Sequence, residues 1–233
     1  MPVALITGAS RGFGFAVARE LAARGWELIV DARDPAALQR AAGELGAPGR
    51  VIAVAGDVAD TGHRAELARR VAEHGRLDLL VNNASLLGPS PQPGLDEYPI
   101  EVLERVFRVN TFAPLAILQL LLPRLAAAGG AAINISSDAA VEPYPGWGGY
   151  GASKAALDQL TAILAAEHPA VRVYAFDPGD MRTAMHQAAY PGEDISDRAE
   201  PETVVPALLR LIDERPPSGR YRGSDLLAVG SRR

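Results

Sequence analysis

Cysteine is absent from all 233 residues, and with it go disulfides, thiolate catalysis and cysteine-ligated metal. Histidine is scarce. The four present, His63, His74, His168 and His186, fall at no ligand spacing, so no dedicated metal site is expected. An excess of basic charge is also missing: the net charge is −5, which favours neither nucleic acid nor an anionic membrane as a partner. The longest apolar stretch, around Phe112–Leu122, contains Pro114 and Gln119 and reads as too short to span a bilayer. The first apolar run, Val3–Ile6, passes straight into a glycine-rich string. That leaves no space for a signal-peptide core, and a cytoplasmic location is expected. No repeat or low-complexity tract is visible.

What is present is the balance of a globular protein with a sizeable core, 48% hydrophobic and 22% charged residues. The length suits one large α/β domain or two small ones. Short β-rich runs at Val3–Ile6, Glu27–Val30, Val51–Ala55, Leu77–Val81, Ala131–Ile135 and Val171–Phe176 read as strands. Between them lie helical patterns at Gly12–Arg24, Pro35–Leu45, Gly62–His74, Ile100–Leu125 and Tyr150–Glu167, with a last helix at Pro201–Glu214. This alternation predicts βαβ units and a doubly wound parallel sheet with helices on both faces. Two segments break the pattern: the proline-rich connection Gly88–Gly94 and the mixed stretch Met181–Pro201. Both follow strands, at the edge where open α/β sheets bind ligands. They read as surface loops.

Two strings carry the chemistry. Thr7-Gly8-Ala9-Ser10-Arg11-Gly12-Phe13-Gly14 joins a strand to a helix. There Gly8 permits the turn, Gly12 lets backbone amides approach a pyrophosphate, and Gly14 allows close packing, with the anion at a helix N-terminus. Tyr150-Gly151-Ala152-Ser153-Lys154 sets a phenol and an ammonium four residues apart, on one helix face. A nearby positive charge lowers a phenol's pKa and prepares it for acid–base work.

With Asn82-Asn83-Ala84, Asn110 and Ser136-Ser137 between them, these strings resemble the short-chain dehydrogenase/reductase family, from Pro2 to about Thr183. The resemblance implies a single Rossmann domain over 1–233, its cofactor-binding half about 1–110, with catalytic residues and substrate loop in about 110–233 and the Met181–Pro201 segment as a lid over the substrate. It implies Tyr150 as proton donor, Lys154 as its cation, Ser137 as hydrogen-bond partner of the substrate oxygen, and Asn110 in a proton relay through water and Lys154. Ser137 is preferred to Ser136 by its position relative to Tyr150. Cofactor contacts are implied at Gly8, Ser10, Arg11, Gly12, Phe13, Gly14, Asp57, Val58, Asn83, Ala84, Tyr150, Lys154, Pro178, Gly179, Met181 and Thr183. Ser85 stands where the family has glycine.

The end of the second strand reads Val30-Asp31-Ala32-Arg33. Ala32 occupies the position where NAD-selective members carry a carboxylate, and Asp31 comes one residue early, turned away by strand alternation. Arg33 and Arg11 would converge on a 2′-phosphate, so NADP(H) is the expected cofactor. Phe13, Ala32-Arg33-Asp34, Pro145-Gly146-Trp147 and Val171-Arg172-Val173 before Pro178-Gly179 resemble the sepiapterin reductase group of carbonyl reductases. Asp225 aligns only ambiguously with that group's substrate-anchoring aspartate. The expected activity is NADPH-dependent reduction of a small-molecule carbonyl. An NAD-dependent alcohol dehydrogenase and a non-catalytic nucleotide-sensing regulator are the alternatives. A homodimer or homotetramer is implied through the Ile100–Leu125 and Tyr150–Glu167 helices, with Ala152, Ala155, Ala156 and Leu160 allowing close approach.

Overall fold

Strand β1 (Val3–Ile6) is buried at every position, and its alternation divides the molecule into two cores. Ala4 and Ile6 point into one apolar cluster, Val3 and Leu5 into the other. The same split runs through β2 (Glu27–Ala32), where Leu28 and Val30 face one way and Ile29 the other. Strands covered on both faces can be continuously apolar, which is why these runs were readable. The computed structural model describes residues 1–46 and 49–230. Within them, β3 (Val51–Ala55), β4 (Leu79–Asn82), β5 (Ala131–Ile135), β6 (Arg172–Asp177) and β7 (Gly219–Arg222) complete a parallel sheet of order β3-β2-β1-β4-β5-β6-β7. This is the doubly wound topology expected.

Helices α1 (Gly12–Ala23) and α2 (Pro35–Leu45) contribute Val17, Leu21, Leu38 and Leu45 to the first cluster. Asp34 caps α2, accepting the Ala36 and Ala37 N–H groups, and Pro35 starts it. On the other face, α3 (Thr61–His74) buries Leu67 and Val71. The apolar run expected as one helix is two: α4 (Ile100–Phe107) and α5 (Ala113–Ala128), joined by a π turn over Arg108–Phe112. Pro114 has no N–H for the Asn110 carbonyl four residues earlier. The ladder slips here, and the Ala113 N–H reaches the Arg108 carbonyl five residues back.

Together these segments form a 29-residue rod, long and apolar enough by length and composition to cross a bilayer, which corrects the reading that the stretch is too short. One face of the rod nonetheless belongs to the sheet core, through Val109, Ile117, Leu118, Leu121 and Leu125. Helix α6 (Gly148–Glu167) starts two residues before Tyr150, and α8 (Pro201–Asp213) covers the first cluster with Val204, Val205, Leu208 and Leu211.

Three elements were not expected: β7, the short α7 (Ala184–Ala189) and α9 (Gly223–Gly230). Helix α7 lies inside the segment read as a loop or lid, and a Met181–Ala199 bridge closes that segment at its base. The sheet order reverses beside β1, between β2 and β4, so the carboxyl ends of β1 to β6 open onto one crevice.

Candidate active site

The glycine string leaves β1 and folds back under tight constraint. Gly8 has φ +67°, and a Cβ there would lie 2.8 Å from the Ala84 Cα. A Cβ on Gly14 would meet the Asn83 side-chain nitrogen at 2.4 Å and the Gly8 carbonyl at 2.7 Å. Asn83 is the brace: its Nδ2 donates to the Thr7 carbonyl (2.9 Å) and the Gly8 carbonyl (3.1 Å). Thr7 Oγ1 returns the contact by accepting the Asn83 and Ala84 N–H groups, each at 3.0 Å. Beneath the string lies Asp31, buried, accepting the Gly8 N–H at 2.9 Å on one oxygen and pairing with His63 Nε2 at 2.8 Å on the other. Burial pushes the Asp31 carboxyl up, and the His63 contact opposes that. Asp31 is therefore engaged in holding the turn, although it also lines the cleft that begins there. Neither this role nor its partner His63 was expected.

A cleft of about 740 Å³ runs from this turn across the sheet edge, within the size range of small-molecule sites. At one end it is lined by Arg11, Arg33, Asp57 and Val58, and at the other by Ser137, Tyr150, Lys154 and the Pro178–Thr183 segment. Gly8, Ser10, Gly12, Phe13, Asn83 and Ala84 line the middle. Of the expected site residues, Gly14 and Asn110 alone stand behind the wall, as supports. The Arg11 and Arg33 side chains are exposed, and the Arg33 charge acts on the nearby Asp57 carboxylate. Asp57 is taken by the Ala59 N–H at 2.9 Å and by Arg105. Its carboxyl, despite burial, is held below the usual range by those two partners.

At the catalytic end, Tyr150 and Lys154 are buried, 8% and 2% exposed. Lys154 Nζ donates to the Ile135 carbonyl at 2.6 Å and lies 5.5 Å from the centre of the Tyr150 ring. Desolvation lowers its pKa to about 8, with Asp158 opposing. The same burial raises the Tyr150 hydroxyl above its ordinary value, and the negative charges of Asp177 and Asp138 add to it. In the protein alone the phenol is therefore raised and not lowered as expected, and removal from water is the largest cause. A proton donated by Ser85 or Ser137, whose hydroxyls face the phenol, would pull it back.

Asn110 sits in the π turn with its carboxamide saturated. Its Oδ1 accepts the Leu86 N–H (2.8 Å) and the Ser85 hydroxyl (3.2 Å). Its Nδ2 donates to the Leu86 carbonyl and the Ser153 hydroxyl, both at 2.9 Å. Through this side chain Asn110 pins the loop after β4 to α6.

Other residues at the site were missed because each depends on a distant partner. Arg220 of β7 donates to the Ser137 carbonyl (2.9 Å) and to Asp177 (2.9 Å) and Asp158 (3.0 Å). Asp177 also receives the Gly179 N–H at 3.0 Å, which sets the turn after β6. Asp225 is exposed on α9 and is not on the cleft wall. The two irregular segments do meet: Ser90 Oγ donates to the Ala188 carbonyl at 2.6 Å. Next to Tyr150, Met185, Ala188 and Ala189 of the second segment join Leu87 and Trp147 in an apolar patch. Trp147 packs edge-on against the Tyr150 ring at 5.8 Å.

A model of the short chain dehydrogenase family matches residues 2–194. The chain belongs to that family. Among its relatives, a yeast (Saccharomyces cerevisiae) benzil reductase that forms (S)-benzoin is 36% identical, over 97% of this chain and 84% of its own. The sepiapterin reductase of Meriones unguiculatus is 37% identical, over 80% of this chain and 77% of its own. A solved structure described as a short chain dehydrogenase from Escherichia coli CFT073, complexed with NADPH, superposes with a TM-score of 0.89 at 30% identity, covering 95% of this chain and 96% of that one.

Proposed function

We propose that the protein is an NADPH-dependent carbonyl reductase in which Tyr150 is the proton donor. One arrangement carries this reading. Buried Tyr150 and Lys154 stand at one end of a single cleft, and two exposed guanidiniums, Arg11 and Arg33, stand at the other. The donor set fits a phosphorylated dinucleotide. The turn at Gly8 and the start of α1 would hold the pyrophosphate, and Arg11 and Arg33 the 2′-phosphate. Both Asp31 oxygens already have a partner, Gly8 N–H on one and His63 on the other, which supports Arg33 over Asp31 as the residue that selects the cofactor. When bound, NADPH supplies the hydride that adds to the carbonyl carbon. The Tyr150 hydroxyl gives its proton to the carbonyl oxygen, leaving a phenolate whose charge the Lys154 ammonium opposes.

The substrate class follows from the wall beside Tyr150. Leu87, Trp147 and Met185 favour a flat, apolar group next to the reacting carbonyl, and the name of the benzil reductase relative supports a carbonyl flanked by aryl groups. The position of Asp225 argues against a pterin anchored as in the sepiapterin reductases. The test is a panel of aryl ketones, aryl 1,2-diketones and pterins, followed by NADPH absorbance. The diketones should be turned over fastest. Because a charge-assisted contact contributes about 1.5–3 kcal/mol, NADPH should be preferred to NADH by roughly 10- to 100-fold. Tyr150→Phe should bind NADPH yet lose about 10²-fold or more in kcat. Near-full activity of that variant, or tighter binding of NADH, would refute the proposal.

A further inference from the structure

Arg220 stands off the cleft wall, yet its side chain joins three elements that build the catalytic end. It lies on the edge strand β7, opposite Ala175 of β6. Alternation sends its neighbour Tyr221 against the first apolar cluster and Arg220 to the other face, where α6 runs. Nη2 donates to the Ser137 carbonyl after β5 and to Asp177 Oδ2 at the end of β6, both at 2.9 Å. Nε donates to Asp158 Oδ2 of α6 at 3.0 Å. The two carboxylates are largely buried, with Asp177 5% and Asp158 15% exposed.

Each anchor is continuous with the site. Ser137 lines the cleft directly. Asp177 lines it too, and its other oxygen accepts the Gly179 N–H at 3.0 Å, which passes the contact on to a turn where Gly179 takes φ +76°. Asp158 follows Lys154 by one helical turn and Tyr150 by two, on the same face of α6. Backbone pairing already holds β5, β6 and β7 side by side. It does not fix how the chain leaves those strands or where α6 sits against them. A planar guanidinium fixes direction as well as distance, which a lysine ammonium on a flexible stem does not.

We infer that Arg220 is a positioning residue: by clamping the Ser137 carbonyl, Asp177 and Asp158 at once, it sets the spacing between the Tyr150 side of the cleft and the Pro178–Thr183 side. This rests on the reductase reading above, in which hydride and proton must reach one carbonyl together. Misplacing reacting groups by about 1 Å costs about 10²-fold in rate, so a residue off the wall can govern turnover. Cofactor affinity rests mainly at the other end, on the glycine turn, Arg11 and Arg33, so binding and turnover should separate.

Arg220 also offsets two carboxylates, a service that any cation could perform, and the variants distinguish the two roles. Arg220→Lys keeps the charge and loses the fork; Arg220→Met loses both. Arg222→Met is the control, since it removes a cation of the same strand that comes only within 4.0 Å of Asp177. NADPH fluorescence titration gives affinity, stoichiometry and the emission of the bound nicotinamide. Reduction of an aryl 1,2-diketone gives kcat and KM, and thermal unfolding gives the midpoint. Arg220→Lys should bind one NADPH per chain, nearly as tightly as wild type, and unfold close to it. Its kcat should nonetheless fall by about 10- to 100-fold, and its bound-NADPH emission should move toward that of free NADPH. Arg220→Met should lose as much turnover and unfold at lower temperature. Asp177→Asn has one acceptor oxygen where Arg220 and Gly179 use two, so it should repeat the Arg220→Lys pattern. It tests the clamp from its other end even if the Arg220 variants do not fold. Wild-type kcat in Arg220→Lys or in Asp177→Asn overturns the inference, as does an equal fall in Arg222→Met. A fall in kcat matched by an equal fall in NADPH stoichiometry also overturns it, because the role would then be folding alone. Wild-type enzyme that reduces no carbonyl would instead refute the reductase reading, and the bound-cofactor emission would still decide the role of Arg220.

Discussion

Lys154 shows how far a single side chain departs from what stability alone would select. It is 2% exposed, and its pKa falls from 10.5 to about 8 because burial penalises the charged form. The sign of the linkage follows. Below about pH 8 the folded and unfolded chains both carry the proton, and the full penalty applies. Between about 8 and 10.5 the unfolded chain retains a proton that the folded one has lost, so this contribution to stability climbs with pH and the penalty is gone above that window. Lys154→Met keeps the length without the charge. At pH 7 it should gain up to about 3 kcal/mol, reduced by about 1 for the lost hydrogen bond to Ile135, and it should lose turnover. Urea unfolding of the cofactor-free protein at pH 7 and pH 10 measures it: the gain should shrink at the higher pH, and a gain equal at both would contradict the burial account. The Tyr150–Lys154 pair was legible because both members lie on one helix turn. Asp31 was not, because its partner His63 is 32 positions away on another element, and no local pattern joins them.

At the scale of elements, the junction between β1 and α1 is set by packing as much as by backbone freedom. Gly14 is helical, yet its missing Cβ makes room for the Asn83 amide that braces the turn. Gly14→Ala would force Asn83 away from the Thr7 carbonyl and press on the Gly8 carbonyl. The expected cost is about 1–3 kcal/mol of overpacking, together with weaker dinucleotide binding, since the turn and its cradle are one unit. The urea midpoint and NADPH fluorescence titration should fall together, and a variant as stable as wild type would show that the turn tolerates the methyl group. The glycine string marked this junction correctly, but the role of Gly14 against a side chain from the loop after β4 needed the fold. The same limit explains which elements were readable. Strands β1, β2 and β4 to β6 are largely buried runs, and the edge strand β3, though only partly buried, is apolar throughout; β7, Gly219–Arg222, is polar and partly exposed, an edge strand defined by its pairing with β6. The π turn is likewise a consequence of Pro114, a residue that signals a break without saying how the ladder will slip.

At the scale of the whole molecule, the outer faces of α5 and α6 are where apolar surface is left over. Phe112 is 56% exposed just before α5, Leu120 is 48% exposed on it, and Ile163 is 42% exposed on α6. Ala152 at the start of α6 is exposed as well, so a facing helix could approach closely. The inner faces of these helices are already packed on the sheet, so this surface is surplus to the fold, and exposed apolar side chains on helices of this length invite a second copy. A stable interface needs about 800 Å² from each partner, which two helices of this size can supply. We expect a homodimer, or a tetramer of such dimers, with each catalytic set drawn from one chain. Light scattering at micromolar concentration should give about two or four times the 24.5 kDa chain mass. Phe112→Glu combined with Leu120→Glu should reduce it to a single chain while far-ultraviolet circular dichroism stays unchanged, because neither side chain supports the core. A 24.5 kDa species that persists across dilution in the wild type and remains fully active would remove the case for this interface.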